Sequence, residues 1–189
     1  MIESTANRPA GKVVFMSSDT HDRILDALET MLLEHGMTKV TLDSVAAAAG
    51  VSKGGLLYHF RTKDALVAAM VRRLAVQADQ QRSDAAAGGT SVAEWYLQPP
   101  DSISEKEIAL YRSTLAALRS VDGNSGEVQD AVVDMMQQWD EGLRTEIDDP
   151  VQAEIIRLVG DGIYLGAVLD LPPVDPELHK RVVDRLLGR

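Results

Sequence analysis

Apolar residues recur at spacings of three and four along most of the chain, and no segment alternates like a strand. The pattern predicts helices throughout. The first covers about 20–35, with Ile24, Leu28, Met31, Leu32 and His35 on one face and Gly36 as its stop. The second covers 42–49, where Leu42, Val45, Ala46 and Ala49 fall at i, i+3, i+4 and i+7. Thr41 is its N-cap and Gly50 ends it. Val51 is a lone apolar residue in the turn. Ser52 then caps a third helix over 53–60, in which Leu56 and Phe60 face inward. A fourth opens at its N-cap Thr62 and runs over 63–82, with Leu66, Ala69, Met70, Arg73 and Leu74 as its buried stripe. It breaks in Ala85-Ala86-Ala87-Gly88-Gly89, read as a small-residue linker.

The remainder is also helical. A short helix over 91–98 closes at Pro99-Pro100. Ser102, with Glu105 three positions on, reads as a capping box for a helix over 103–121. After a loop over 122–126, helices are expected over 127–147 and 151–169. A last one over 176–187, capped by Asp175, follows Pro172-Pro173. The class is all-α, with about nine helices. The expected organisation is an arm over 1–18, a three-helix unit over 19–64 and a helical body over 65–189. In the arm, Arg8 and Lys12 either make extra phosphate or minor-groove contacts or have no role.

Composition narrows the chemistry. Cysteine is absent, so there is no disulfide framework, thiolate nucleophile or Cys-type zinc site. No run of ~18 apolar residues predicts a membrane span. The apolar patch at 13–16 falls short of the ~7–15 residues of a secretory core. A cytoplasmic location is expected. His21, His35, His59 and His179 do not pair at ligand spacing, so neither metal nor cofactor is expected. No paired-carboxylate site, nucleophile–base signature or phosphate loop suggests an enzyme. Gly160-Asp161-Gly162 and Gly166 have Gly-x-Gly-x-x-x-Gly spacing inside a helical pattern, which is not a dinucleotide fingerprint.

The net charge is −10, but its distribution is uneven. Residues 1–80 carry nine Lys/Arg and nine Asp/Glu, and residues 81–189 carry ten and twenty. Over 38–64, Lys39, Lys53, Arg61 and Lys63 face only Asp43 and Asp64. Screening limits electrostatic reach to ~8 Å at physiological salt, so this local balance decides whether phosphates are attracted.

A helix, a glycine-containing turn and a second helix over 41–60 form a helix-turn-helix pattern, whose second helix enters the DNA major groove. An αα-hairpin in some other helical protein has the same outline. The run from Arg23 to Leu66 resembles the DNA-binding domain of the TetR/AcrR family of transcriptional regulators. The resemblance rests on Ile24-Leu25-Asp26-Ala27, Gly36, Thr41, Val45-Ala46 and Ala49-Gly50-Val51-Ser52. It continues through Lys53-Gly54, His59-Phe60 and Lys63-Asp64-Ala65-Leu66.

The expected DNA contacts follow from pattern and resemblance together. Thr41 and Ser44 approach phosphate from one side, and Ser52 takes a phosphate at its helix start. Lys53 reads a base edge, since Lys or Arg to guanine is the commonest specific contact. Gly54 and Gly55 allow close approach of the backbone. Leu57 meets a thymine methyl, and Tyr58 a base edge or phosphate. His59 and Lys63 match family positions that hold the DNA backbone. One departure stands out: the family carries Tyr where this chain has Leu57. A one-residue shift rotates a helical side chain by about 100°, so that tyrosine's phosphate contact does not carry over directly to Tyr58.

Two features of the body bear on function. Both tryptophans and several large residues cluster there: Trp95, Tyr96, Tyr111, Met135, Met136 and Trp139. They read either as plain core or, with Met70 added, as the wall of a small-molecule pocket. The resemblance implies a pocket. Glu94, Asp134, Asp140 and Asp161 lie within one helical turn of these aromatics and incline the reading toward cationic or neutral aromatic ligands. The cationic candidates for the wall are Arg72, Arg73, Arg112, Arg119 and Arg144. The second feature is the flat strip of Gly162 and Gly166, with Ile155, Val159, Ile163 and Ala167 beside it. Leu178, Val182, Val183 and Leu186 follow on the last helix. The resemblance implies a homodimer in which the last two helices form a four-helix bundle with the partner.

The reading is a homodimeric, ligand-responsive repressor that binds a palindromic double-stranded DNA operator and is released by a small-molecule effector. The alternative is a helical binding module without sequence-specific DNA binding.

Overall fold

The computed structural model describes residues 16–119 and 126–189. Arg8, Lys12 and most of the loop predicted over 122–126 lie outside the described residues. Those described fold into nine α-helices and two 3₁₀ turns, with no strand among them. The helices are α1 (Met16–His35), α2 (Leu42–Ala48), α3 (Lys53–His59), α4 (Lys63–Ala87), α5 (Val92–Tyr96), α6 (Glu105–Leu118), α7 (Gly126–Glu146), α8 (Pro150–Val168) and α9 (Pro176–Leu186).

Caps fix most of the boundaries. The hydroxyls of Thr41, Ser52 and Thr62 accept from the backbone N–H groups of Ser44, Gly55 and Ala65, as the sequence predicts. Asp149 and Asp175 cap α8 and α9, each of which starts on a proline that needs no hydrogen-bond partner for its nitrogen.

Three boundaries differ from expectation. α1 begins at Met16, so the helix overlaps the end of the predicted arm. α4 continues through Ala85–Ala87 to end at Gly88, whose N–H bonds the carbonyls of Asp84 and Ala85. Alanine is the best helix former, so this linker is helical until glycine stops it. The third concerns α6. Ser102 belongs to a 3₁₀ turn over Pro100–Ser102 that the two prolines begin, and its hydroxyl donates to the Pro99 carbonyl. Ser104 caps α6 instead, accepting from Glu107 N–H.

Two cores hold the molecule. The larger joins α1–α4 to α6 and α7 through fully buried Ile24, Leu28, Val45, Leu56, Leu66 and Leu110. The smaller gathers Ala93, Leu97, Leu143 and Ile156, with Val183, Leu186 and Leu187 of the C-terminal segment against it. Met70 is fully buried in the larger core. At that core's edge, Glu29 of α1 is buried between two cations. Arg73 of α4 donates to it from Nε at 2.8 Å and from Nη2, and Lys106 of α6 approaches at 2.7 Å. The first three helices are thereby tied to the body by charge as well as by apolar contact.

Candidate DNA-reading surface and effector cavity

Gly50 ends α2 with φ of 65°, a left-handed conformation that L side chains rarely adopt. This reverses the chain so that Val51 packs on the core and α3 sets off across α2. Arg23 of α1 braces the turn by donating to the Ala49 carbonyl at 2.7 Å.

On α3, Tyr58 is 84 % exposed, the most exposed large apolar or aromatic side chain among the described residues. Leu57 is half-buried, and Leu56 beneath it is fully buried. Lys53 is exposed and pairs with Asp43 of α2 at 2.9 Å. Gly54 is exposed, with no heavy atom closer than 4.0 Å to where a Cβ would stand. At Gly55 a Cβ would come 3.2 Å from the Ser52 hydroxyl, so glycine suits that cap.

Other residues are committed to scaffolding. Thr41 and Ser44 form a reciprocal capping box: Thr41 N–H donates to Ser44 Oγ at 2.9 Å, and Ser44 N–H to Thr41 Oγ1 at 3.0 Å. A phosphate must compete with these bonds for either hydroxyl. His59 is half-buried, with its ring 6.1 Å from that of His21 on α1. Lys63 donates to the Met37 carbonyl at 3.3 Å and pins the start of α4 to the segment before α2.

In the body, α4, α5, α6, α7 and α8 enclose a cavity of about 370 Å³. Trp95, Tyr96, Tyr111, Met135, Met136 and Trp139 line it. Met70 does not: it sits in the core, and Ala78 is the α4 residue on the wall. The rings meet edge to face: Trp95 and Trp139 at 6.2 Å, Trp139 and Tyr164 at 6.1 Å, Tyr111 and Tyr164 at 4.9 Å. Such contacts fix the ring planes and leave faces open to a guest.

Of the polar wall groups, Tyr96, Tyr111 and Asp161 are among those the sequence singles out, whereas Glu107 and Tyr164 are not. Tyr96 donates to Asp161 at 2.6 Å, and Arg157 donates to the other Asp161 oxygen at 2.8 Å. Tyr164 donates to Glu107 at 3.4 Å. Burial pushes the Glu107 carboxyl up, against the hydrogen bond from Tyr164, which lowers it. Burial also raises Tyr96, Tyr111 and Tyr164, which stay neutral. None of the five candidate arginines lines the cavity. Arg73 serves Glu29, Arg112 donates to the Val168 carbonyl and Arg144 to Asp140. Glu94 is likewise occupied, by the α5 cap and by Arg189. Glu107 stands in the first turn of α6, where an acidic residue reads as an ordinary solvated position. Only the fold reveals that it turns inward.

The outer face of α8 and α9 is apolar. Val151, Ile155, Leu158, Leu165 and Leu169 are exposed on or just beyond α8, and Leu178 and Val182 on α9. Gly162 and Gly166 lie among them with open space at their Cβ positions. Val159, Ile163 and Leu186 are half-buried and pack against the smaller core, and Ile163 also lines the cavity.

Comparison with known proteins covers both halves. Residues 24–70 match the family described as bacterial regulatory proteins, tetR family. Residues 90–189 match that described as tetracyclin repressor-like, C-terminal domain. The HTH-type transcriptional repressor Rv1474c of Mycobacterium tuberculosis is 30% identical over 156 residues, 78% of this chain and 77% of that one. The multidrug binding protein EbrR, solved with malachite green, is 26% identical, with a TM-score of 0.64 over 88% of this chain and 96% of that one. EbrR has also been solved with ethidium. SCO7518 of Streptomyces coelicolor A3(2) shares the fold, with a TM-score of 0.72 at 18% identity over 89% of this chain and 98% of that one.

Proposed function

The chain belongs to the TetR family of bacterial transcriptional regulators, and from that membership we propose that it is a ligand-responsive repressor working in the cytoplasm. Two copies pair through the exposed apolar face of α8 and α9. Each lays α3 in the major groove of one half of a palindromic operator, the half-sites about one helical turn, ~34–36 Å, apart. Lys53, Gly54, Leu57 and Tyr58 face the bases. Thr41, Ser44, Ser52, Gly55, His59 and Lys63 lie along the flanking phosphates. An aromatic compound entering the cavity releases the operator.

The observation that carries this reading is the cavity of about 370 Å³, apolar and ringed by aromatics, against the α4 whose first turn abuts the DNA reader. Its size suits a small ligand, for which pockets of ~300–1,000 Å³ are usual. EbrR, with dye complexes, supports an aromatic effector by analogy. A ligand shifts the DNA-binding equilibrium only by its differential affinity for the two states. Selection of bound sequences from random DNA, followed by effector titration, tests the reading. An enriched palindrome released by an aromatic ligand is expected. No enriched motif would leave a helical binding module without sequence-specific recognition, which the half-buried Leu57 at the family's tyrosine position would then explain.

A further inference from the structure

We propose that Glu107 is the counter-charge for a single positive charge on the effector, so that the cavity selects planar aromatic monocations. This deepens the effector reading above and rests on it. Among the described residues, two charged side chains line the cavity, Glu107 and Asp161. Asp161 is already compensated, since Arg157 donates to one oxygen at 2.8 Å and Tyr96 to the other at 2.6 Å. Among the described residues Glu107 has no cationic partner, and its side chain receives one long hydrogen bond, from Tyr164 at 3.4 Å. The neighbouring Lys106 directs its ammonium to Glu29 of α1 instead.

A partly buried carboxylate without a counter-charge is unfavourable, and a guest cation removes that penalty when it binds. The surrounding faces of Tyr111, Tyr164 and Trp139 attract the same cation through their ring quadrupoles. Among the described residues, the wall offers a second positive charge no unpaired carboxylate, and it offers an anion no basic side chain. One charge on a flat aromatic frame is the match.

The test uses the full-length dimer without DNA, because the probes intercalate. Calorimetry compares ethidium (one charge), propidium (the same ring system with a second charge), a neutral phenanthridine and an anionic naphthalenesulfonate. The intact protein should bind ethidium about tenfold more tightly than the other three. Glu107→Gln, checked for folding by its thermal melt, should lose about tenfold for ethidium and stay within about twofold for the neutral ring. Equal binding of propidium and ethidium by the intact protein would overturn the single charge. Ethidium affinity unchanged in Glu107→Gln would overturn the role of this residue. Both outcomes leave the cavity an effector site. Failure of every probe to bind the intact protein would remove the effector reading itself, and this proposal with it.

Discussion

Lys106 of α6 holds its ammonium 2.7 Å from the carboxylate of Glu29 in α1, a side chain only 4 % exposed. The residue after Lys106 is the cavity's unpaired carboxylate. One turn of α6 thus touches the effector cavity on one side and the DNA-reading unit on the other. Arg73 also grips Glu29 and is 20 % exposed, whereas Lys106 is 55 % exposed. Removing the less exposed partner should therefore hurt more. Arg73→Met should cost about 2–4 kcal/mol, leaving a buried carboxylate half-compensated. Lys106→Met should cost ~0–1 kcal/mol, as for an exposed pair. Urea titrations of the two variants measure the difference. Lys106→Met should also reduce the factor by which an effector weakens operator binding, with effector affinity in free protein retained. An unchanged factor would mean that the signal reaches α1 by another route.

The Lys53–Asp43 pair makes a prediction about specificity. Both side chains are more than half exposed, so the pair adds little to stability, ~0–1 kcal/mol. Lys53 must leave Asp43 to reach a base. Lys53→Ala should cost ~1–3 kcal/mol at one base pair and relax the preference there. Asp43→Asn should instead tighten binding to all sequences, because it frees the lysine and removes a charge that repels phosphate. Gel-shift titrations on operator and unrelated DNA distinguish the two. Weaker binding by Asp43→Asn would show that the aspartate itself contributes to recognition.

The helix starts were legible because Thr41, Ser52, Thr62 and Asp175 announce themselves chemically. Ser102 misled for the same reason: Ser104 two residues later offers the same hydroxyl, and only the proline-driven turn decides between them. Six of the seven residues expected on the cavity wall line it, because bulky side chains were concentrated on few helices. Met70 differs in being fully buried in the larger core, off the cavity wall. Asp161 was legible as a carboxylate near the aromatics, but Glu107 and Tyr164 were not, since helical periodicity shows which residues share a face, not whether that face meets solvent, core or cavity.

The glycines of α8 separate the cavity from the proposed dimer face. A methyl group at Gly160 would overlap the Tyr96 ring and come 2.9 Å from the Tyr96 carbonyl oxygen. Gly160→Ala should displace Tyr96 and break its bond to Asp161, at about 1–3 kcal/mol. Gly162 has open space, so Gly162→Leu should leave each subunit's fold intact. It should dissociate the dimer, because two-fold symmetry applies the added bulk twice. Thermal melts and light scattering should thus respond to opposite members of the pair. A dimeric Gly162→Leu protein would place the interface elsewhere.

The strain at Glu107 should be visible without any ligand. Burial raises this carboxyl above its ordinary value of 4.5, so folding favours its protonated form. For an acid raised in the folded state, the stabilising contribution is fully present below the ordinary value and is lost as pH rises through the folded value. At neutral pH that stabilising contribution is therefore diminished, and Glu107→Gln, which is neutral throughout, should melt at a higher temperature than the parent. In acid the parent carboxyl is protonated too, and the two curves should converge near about pH 4. Tyr111 and Tyr164, which face the group, stay neutral across this range and do not contribute. Asp161 is present in both proteins and cancels in the difference. Calorimetric melts of the two proteins between about pH 4 and 8 provide the measurement. A gap independent of pH would assign the effect to packing and not to charge. A variant less stable at neutral pH would show that the carboxylate is better compensated than its single hydrogen bond implies.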